Sequence, residues 1–592
     1  MNRTSSSAPI GELVSADPAR ALPVLRDAIL KDGDNAPAYR LLARALRALG
    51  REAEARLADG EAVRASAHDP ALIAIARAMI ANDLPVAEGL LRQRLREQPT
   101  DIAAIRMMAE LAGRIGRYLD AEALLRRALE LAPGFTAARA NLATVLYKQN
   151  RFPEAVSELD SVLAQGGGDA GNLNLRAAAL GRTGDYEEAR RIYAELTETF
   201  PDHAKLWMSH GHILKTLGEQ AQSIAAYRRA LAIEPGLGEV WWSLANLKTW
   251  RFQDDDVAAL EAALAGDGLC EDDRLHLHFA LGKALEDRGE ALQSFDHYAR
   301  GNRLRRDQLK YVPETVSAQV DTMIAAFTPS FVGARQGAGA PSPDPVFILG
   351  LPRAGSTLIE QILSSHSQVE GTMELPDIPA MAMREAQAAG GGPRDWPQAL
   401  AAMPPERLAE LGAEFLERTR IQRKTGKPFY IDKLPNNWAY LGLIALILPH
   451  AKIIDARRHP LDCGFSNFRQ HFAKGQSFSY DLDHIGRYYA DYVRAMAHYD
   501  RVMPGRVHRV IHERLLDDPE AEVRRILVYL GVPFEESCLQ FHRNTRAVRT
   551  ASSEQVRRPI NRDGVGQWRA YEAWLGPLKE ALGDLPETYA AD

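Results

Sequence analysis

At 592 residues the chain is too long for a single hydrophobic core, so two or more domains are expected. Hydrophobic residues make up 46% and charged residues 25%, the balance of a folded protein rather than a disordered or fibrous one. A net charge of −6 at pH 7 excludes a global attraction to nucleic acid.

Residues 1–15 are read as a flexible N-terminus, and the opening stretch lacks the apolar centre of a signal peptide. Residues 16–330 read as a helical array. Pro99, Pro133, Pro201 and Pro235 recur on a period of 34, with Gly167 in the missing slot. On the same period fall the small residues Ala109, Ala143, Ala177, Gly211 and Ala245, and the turn positions Gly116, Asn150, Gly184 and Gly218. Ala121, Ala155, Ala189 and Ser223 follow the turns. Each unit is therefore helix, turn, helix, then a proline that cannot continue the second helix. This pattern resembles the tetratricopeptide repeat. The region from Asp34 to Pro99 drifts from the phase and reads as degenerate repeats, and Leu275 to Leu309, with Gly289 at a turn, as one more divergent unit. The resemblance implies an α-solenoid with a concave groove that holds a protein or peptide, or else a spacer or dimerisation platform. Homodimerisation stays open.

Residues 331–345, rich in Gly, Ala, Pro and Ser, read as a linker. After it, strand-like runs at Val346–Leu349, Phe429–Ile431, Lys452–Asp455 and Arg509–His512 alternate with helical segments. That order predicts an α/β domain over 346–592 with a mainly parallel sheet. Its first strand runs into Gly350-Leu-Pro-Arg-Ala-Gly-Ser-Thr357 and then a helix. Such a loop aims backbone N–H groups and a helix N-terminus at a phosphate. Gly350, Gly355 and Thr357 satisfy the P-loop spacing, but Ser356 stands where the nucleotide-binding Lys belongs, and Arg353 supplies the positive charge instead.

A loop of this kind resembles the 5′-phosphosulfate loop of sulfotransferases, which use 3′-phosphoadenosine-5′-phosphosulfate (PAPS). Arg457-Arg-His-Pro-Leu-Asp-Cys-Gly-Phe-Ser466 resembles the family's 3′-phosphate segment, Tyr430-Ile-Asp-Lys433 its catalytic-lysine strand, and Thr372-Met-Glu-Leu375 the segment carrying the base of tyrosylprotein sulfotransferases. Ala551-Ser-Ser-Glu-Gln-Val-Arg-Arg-Pro-Ile560 and Asn561-Arg-Asp-Gly-Val-Gly-Gln-Trp-Arg569 are similar to cofactor-lining segments of the family. Together with the repeats, the chain resembles the bacterial tetratricopeptide-repeat sulfotransferases. The fold class implied is an N-terminal α-solenoid of repeats followed by a P-loop-like α/β sulfotransferase domain.

The resemblance implies sulfuryl transfer from PAPS to an acceptor hydroxyl, leaving adenosine 3′,5′-bisphosphate (PAP), with no metal required. Glu374 would be the general base, Lys433 would act on the bridging oxygen, and Ser552 would lie near the sulfuryl group. Arg353, Ala354, Gly355, Ser356 and Thr357 would hold the 5′-phosphate. Arg458 and Ser466 would hold the 3′-phosphate, together with Arg562 or Arg569. The acceptor is a protein tyrosine, a saccharide or a small molecule. Two rivals stand: a P-loop nucleotide-triphosphate protein, with Asp432 or Asp455 as its metal ligand, and a non-catalytic repeat adaptor. Asp462 reads as a cap of the helix that follows. Histidines near His484 and His498 show no metal spacing. Three scattered cysteines (Cys270, Cys463, Cys538) form neither a disulfide framework nor a zinc motif, and so point to a reducing compartment. The longest apolar run, Ala439 to Leu448, is shorter than the ~20 residues a bilayer-crossing helix needs. A cytoplasmic chain without a membrane span is expected.

Overall fold

A computed structural model describes residues 7–248, 250–392, 395–473, 475–548, 550 and 552–590. The chain divides into two compact units, Met1–Leu196 and Thr197–Asp592.

The first unit is built of helix pairs. Ile102–Arg114 with Tyr118–Leu131, and Thr136–Lys148 with Phe152–Ala164, keep the 34-residue period. The periodic small residues are buried: Ala109, Ala121, Ala143, Ala155, Ala177 and Ala189 each expose 1% or less. They let paired helices approach closely, which is why only small side chains recur there. The turn residues Gly116, Asn150 and Gly184 have φ of 78°, 60° and 85°. This left-handed conformation closes a helix, and Gly or Asn adopts it at least cost. The drifting region is helical too, with pairs Ala36–Ala48/Glu52–Ser66 and Pro70–Ile80/Leu84–Glu97. The expected flexible N-terminus over 1–15 needs correction from residue 7 onward. A helix spans Ser7–Ala16, and its Val14 is buried with Ala21, Leu25 and Leu46. Residues 1–6 of that expectation lie outside the described residues.

Repeat helices continue into the second unit as Ala204–Leu217/Gln220–Ile233, Gly238–Ala245 and Glu271–Asp287/Ala291–Leu309. Gly211 abuts Tyr227 so closely that a Cβ would fall 2.5 Å from the ring, and Ser223 Oγ donates to the Gly211 carbonyl at 2.9 Å. The divergent unit repeats this arrangement: Gly282 lies against Tyr298, and Ser294 Oγ donates to the Gly282 carbonyl at 2.7 Å.

These helices share one core with the α/β region, in which Trp242, Phe279 and Tyr298 are clustered with Phe347, Leu349 and Phe465. The expected boundary at 331–345 therefore does not separate two bodies, and the segment is pinned rather than free. The Ala340 N–H donates to Ile447 O at 2.9 Å, and Arg335 Nη2 donates to Ala401 O at 2.8 Å. The compact units divide at Leu196/Thr197 instead.

The sheet has five strands, β1 (Pro345–Gly350), β2 (Val369–Gly371), β3 (Phe429–Lys433), β4 (Lys452–Arg457) and β5 (Val507–Ile511), in the order β2-β3-β1-β4-β5. Every pairing is parallel, with Ile348 beside Lys433 on one side and Gly350 beside Ala456 on the other. All six β1 residues are buried, as a central parallel strand requires. Val346 and Ile348 enter the core with Ile359 and Ile526, whereas Phe347 and Leu349 enter the core shared with the repeat helices. The chain leaves β1 for β2 on the far side of β3 and leaves β4 for β5 on the opposite side, so the crevice beyond the carboxyl ends of β1 and β4 is where a ligand is expected.

Gly211→Val should lower stability by ~1–3 kcal/mol, because Tyr227 has no room to withdraw. Thermal unfolding measures this, and an unchanged melting temperature would refute the close approach.

Candidate functional site

The loop after β1 is held from below. Gly350 has φ 135°, and a Cβ there would meet the Ala456 carbonyl at 2.3 Å. Asn467 Nδ2 donates to Pro352 O at 2.8 Å, and Cys463 Sγ lies 3.4 Å from the same oxygen. Burial pushes the Cys463 thiol up to about 12, so it packs as a thiol rather than reacting. Arg353 takes a positive φ of 67°, unusual for a residue with a side chain. Gly355 (φ 98°) caps the helix Ser356–Ser364 without a side-chain hydrogen bond. A Cβ on Gly355 would fall 2.6 Å from His512 Nδ1, so only glycine fits.

The Arg353 guanidinium spans the crevice. Its Nε donates to Ser466 Oγ at 3.0 Å, its Nη1 to Ser552 Oγ at 2.6 Å and its Nη2 to Gln555 Oε1 at 3.2 Å. All three acceptors are neutral. Burial, followed by repulsion from Arg469 and Arg458, brings Arg353 down to about 9. Arg458, 7% exposed, donates to the carbonyls of Arg353 (3.1 Å) and Gly564. The Asp462 carboxylate is 3.9 Å away, and the Arg458 Nε is buried without a partner among the described residues. Among the described residues Arg469 alone of the three has a close carboxylate, Glu286 at 2.7 Å. Burial, with Arg458 and Arg353 adding repulsion, drives His512 down to about 3, so it stays neutral beneath the loop. The result is concentrated positive charge at a helix N-terminus, an arrangement suited to a polyanion.

One pocket collects Arg353, Gly355, Ser356, Thr357, Arg458, Ser466 and Ser552. Ala354 instead turns inward: its N–H donates to Leu351 O at 3.2 Å, and its side chain is 3% exposed. Neither Arg562 nor Arg569 lines this pocket. Arg562 pairs with Asp517 at the surface, and Arg569 lies over the Trp568 ring, 5.6 Å from its centroid. Sequence reading missed Arg469, His512, Gln555 and Gln567, which line the pocket. Arg469 and Gln555 each follow an expected residue (Ser466, Ser552) by three positions, a spacing that could have flagged them. Asp462 does not act as the expected helix cap: its Oδ2 accepts from the Gly566 N–H at 2.9 Å.

Beside this pocket lie Glu374 and Lys433. Lys433 Nζ donates to Glu374 Oε1 at 2.5 Å, with the Lys side chain 2% exposed and the Glu side chain 45% exposed. Asp432 sets the preceding turn, accepting from the Leu375 N–H and from Asn437 Nδ2, both at 3.3 Å. Burial holds its carboxyl well above the usual range. A second cavity of about 440 Å³ contains both Glu374 and Lys433 and shares Arg353, Ser356, Thr357 and Ser552 with the first. Among the described residues, Asp481, Asp483 and His484 bring ligand atoms within 4.8 Å of one another. Asp481 is already engaged, capping the Asp483 N–H at 3.0 Å and pairing with Arg306 at 2.6 Å.

Known proteins resemble this chain as follows. Residues 345–536 match the model of the sulfotransferase family, and residues 12–70, 116–179 and 174–237 match tetratricopeptide-repeat models. An uncharacterised protein of Aquifex aeolicus (strain VF5) is 32% identical over 403 residues, 67% of this chain. The chain spans only 52% of that relative's length. A putative protein-tyrosine sulfotransferase of Caenorhabditis briggsae is 25% identical over 38% of this chain and 80% of its own length. The sulfotransferase domain of the Synechococcus PCC 7002 olefin synthase aligns at 22% identity and a TM-score of 0.32, over 43% of this chain and 96% of that domain.

Millimolar inorganic pyrophosphate should raise the melting temperature, and Arg458→Met should remove most of that rise. No shift in the unaltered protein would contradict a built anion site.

Proposed function

We propose that this chain, which joins tetratricopeptide repeats to a sulfotransferase-family domain, transfers a sulfuryl group from PAPS to an acceptor hydroxyl. The observation that carries the reading is the pair of guanidiniums, half-buried Arg353 and buried Arg458, without a close carboxylate among the described residues and opening onto the same crevice as the Glu374–Lys433 pair. The donor set fits the nucleotide: the orphaned Arg458 Nε and the uncapped helix at Ser356 are both groups awaiting an anion. Bound there, PAPS would supply the sulfuryl group.

Gly355, Ser356 and Thr357 would hold the 5′-phosphate with N–H and hydroxyl donors, with Arg353 beside them. Arg458 and Ser466, joined by Arg469, would hold the 3′-phosphate. Glu374 would take the proton from the acceptor oxygen. Lys433 and Ser552 would donate to oxygens on which charge grows, and the pairing of Lys433 with Glu374 orients both side chains beforehand. The relatives named for protein tyrosine support a tyrosine hydroxyl as one acceptor class. The repeats would recruit a protein or peptide. Three unpaired cysteines favour a cytoplasmic setting, and among the described residues no helix is long and apolar enough to cross a membrane.

The nucleotide-triphosphate rival needs a strand-end carboxylate for a cation. Asp455 is taken up by Tyr492, Arg457 and Arg509, and Asp432 holds the Leu375 turn, so neither is free for that task.

Glu374→Gln should cut transfer from labelled PAPS by ~10²–10⁴-fold, the usual worth of a general base, with little loss of PAP affinity. Near-normal turnover would remove the base assignment. PAP should raise the melting temperature more than ATP with Mg²⁺ does, and the reverse order would favour the rival.

A further inference from the structure

The cavity that holds Glu374 and Lys433 is walled on its far side by repeat helices. His212, Lys215 and Thr216 come from Ala204–Leu217, Glu239 and Trp242 from Gly238–Ala245, and His276 from Glu271–Asp287. The last repeats are thus part of the crevice in which an acceptor would sit. Of the two carboxylates that line this cavity, Glu374 has a permanent cation as its partner. Lys433 pairs with Glu374 at 2.5 Å, and Arg353 belongs to the phosphate loop. Lys215, which burial lowers to about 8, has the Glu554 carboxylate as the charge acting against that shift.

Glu239 is the other. Its side chain is 50% exposed, and among the described residues its ion-pair partner is His212 Nε2 at 3.9 Å, an imidazole rather than a permanent cation. The neighbouring His212 imidazole outweighs burial and keeps the Glu239 carboxyl below its usual range. The other nearby imidazoles do not neutralise it: burial lowers His276, and lowers His471 to about 3, leaving both uncharged at pH 7. His212 is itself fixed, with Nδ1 2.8 Å from the Tyr227 hydroxyl and Tyr227 fully buried. A carboxylate that opens on a shared cavity with no permanent cation beside it among the described residues is suited to bind a cationic group there.

Building on the sulfotransferase reading, we propose that Glu239, supplied by a repeat helix, selects an acceptor that carries an ammonium group as well as the reacting hydroxyl. At Glu239 an acidic group of the acceptor would meet repulsion, whereas an ammonium would form a charge-assisted hydrogen bond. The shared chemistry is a hydroxyl and an amine on one small scaffold, either phenolic or sugar-like.

Two acceptor pairs test it in the full-length protein with PAPS: tyramine against 4-ethylphenol, and glucosamine against glucose. In at least one pair the amine should win in kcat/KM by about tenfold, the size of one charge-assisted hydrogen bond, and the pair that responds tells phenol from sugar. Glu239→Gln should collapse that ratio toward one, chiefly through KM for the amine, while PAP still raises the melting temperature. A preference for the neutral member, a ratio unmoved by Glu239→Gln, or no turnover of any of the four while PAP still binds would each overturn the assignment. Loss of the PAP shift in the unaltered protein would instead overturn the sulfotransferase reading.

Discussion

The arrangement on which the site depends is a knot of positive charge without matching negative charge. Half-buried Arg353 and buried Arg458 stand at the carboxyl end of a parallel sheet, next to a helix whose first N–H groups are uncapped. Burying like charges together is costly, and the cost is visible in the lowered pKa of Arg353. A fold tolerates this where the surroundings over-determine it and where an incoming anion reverses the sign of the interaction. Ser466, Ser552, Gln555 and the carbonyls of residues 353 and 564 hold the two guanidiniums in place without neutralising them. The charge is therefore oriented yet left available.

The sheet and the repeats reach this point by different routes. Parallel pairing of β3, β1 and β4 brings Lys433, the phosphate loop and Arg458 to one edge, although they are separated by up to a hundred residues of sequence. The repeat helices enter through the core. Trp242, Phe279 and Tyr298 are buried together with Phe347 and Leu349, so the last repeats and the α/β fold are one packed body. A repeat array is usually pictured as a separate recruiting arm. Here His212, Glu239 and His276 stand in the same cavity as Glu374, which gives part of the array a place beside the chemistry.

Features set by local rules were legible in the sequence. The 34-residue phase is the spacing at which paired helices need a small residue, and Ala109, Ala143 and Ala177 are buried for that reason. Gly116, Asn150, Gly184 and Gly218 announced their left-handed turns. The apolar run before Gly350 and the residues from Arg353 to Thr357 announced a strand, a loop and a helix start. Features set by long-range packing were not legible. Nothing local says that 331–345 is tied to Ile447 and Ala401, because composition reports flexibility and not contacts. The short β2 carries no pattern long enough to recognise. Arg562 and Arg569 sit in a Gly-rich segment that resembles a phosphate loop, yet their side chains turn to Asp517 and Trp568, a choice made by the fold and not by spacing.

The most direct test of the central claim is a crystal structure of the protein grown with PAP. The account predicts the 5′-phosphate on the backbone N–H groups of Gly355, Ser356 and Thr357, and the 3′-phosphate within hydrogen-bonding distance of Arg458 and Ser466. A nucleotide lodged elsewhere, or a loop left empty at saturating PAP, would contradict it.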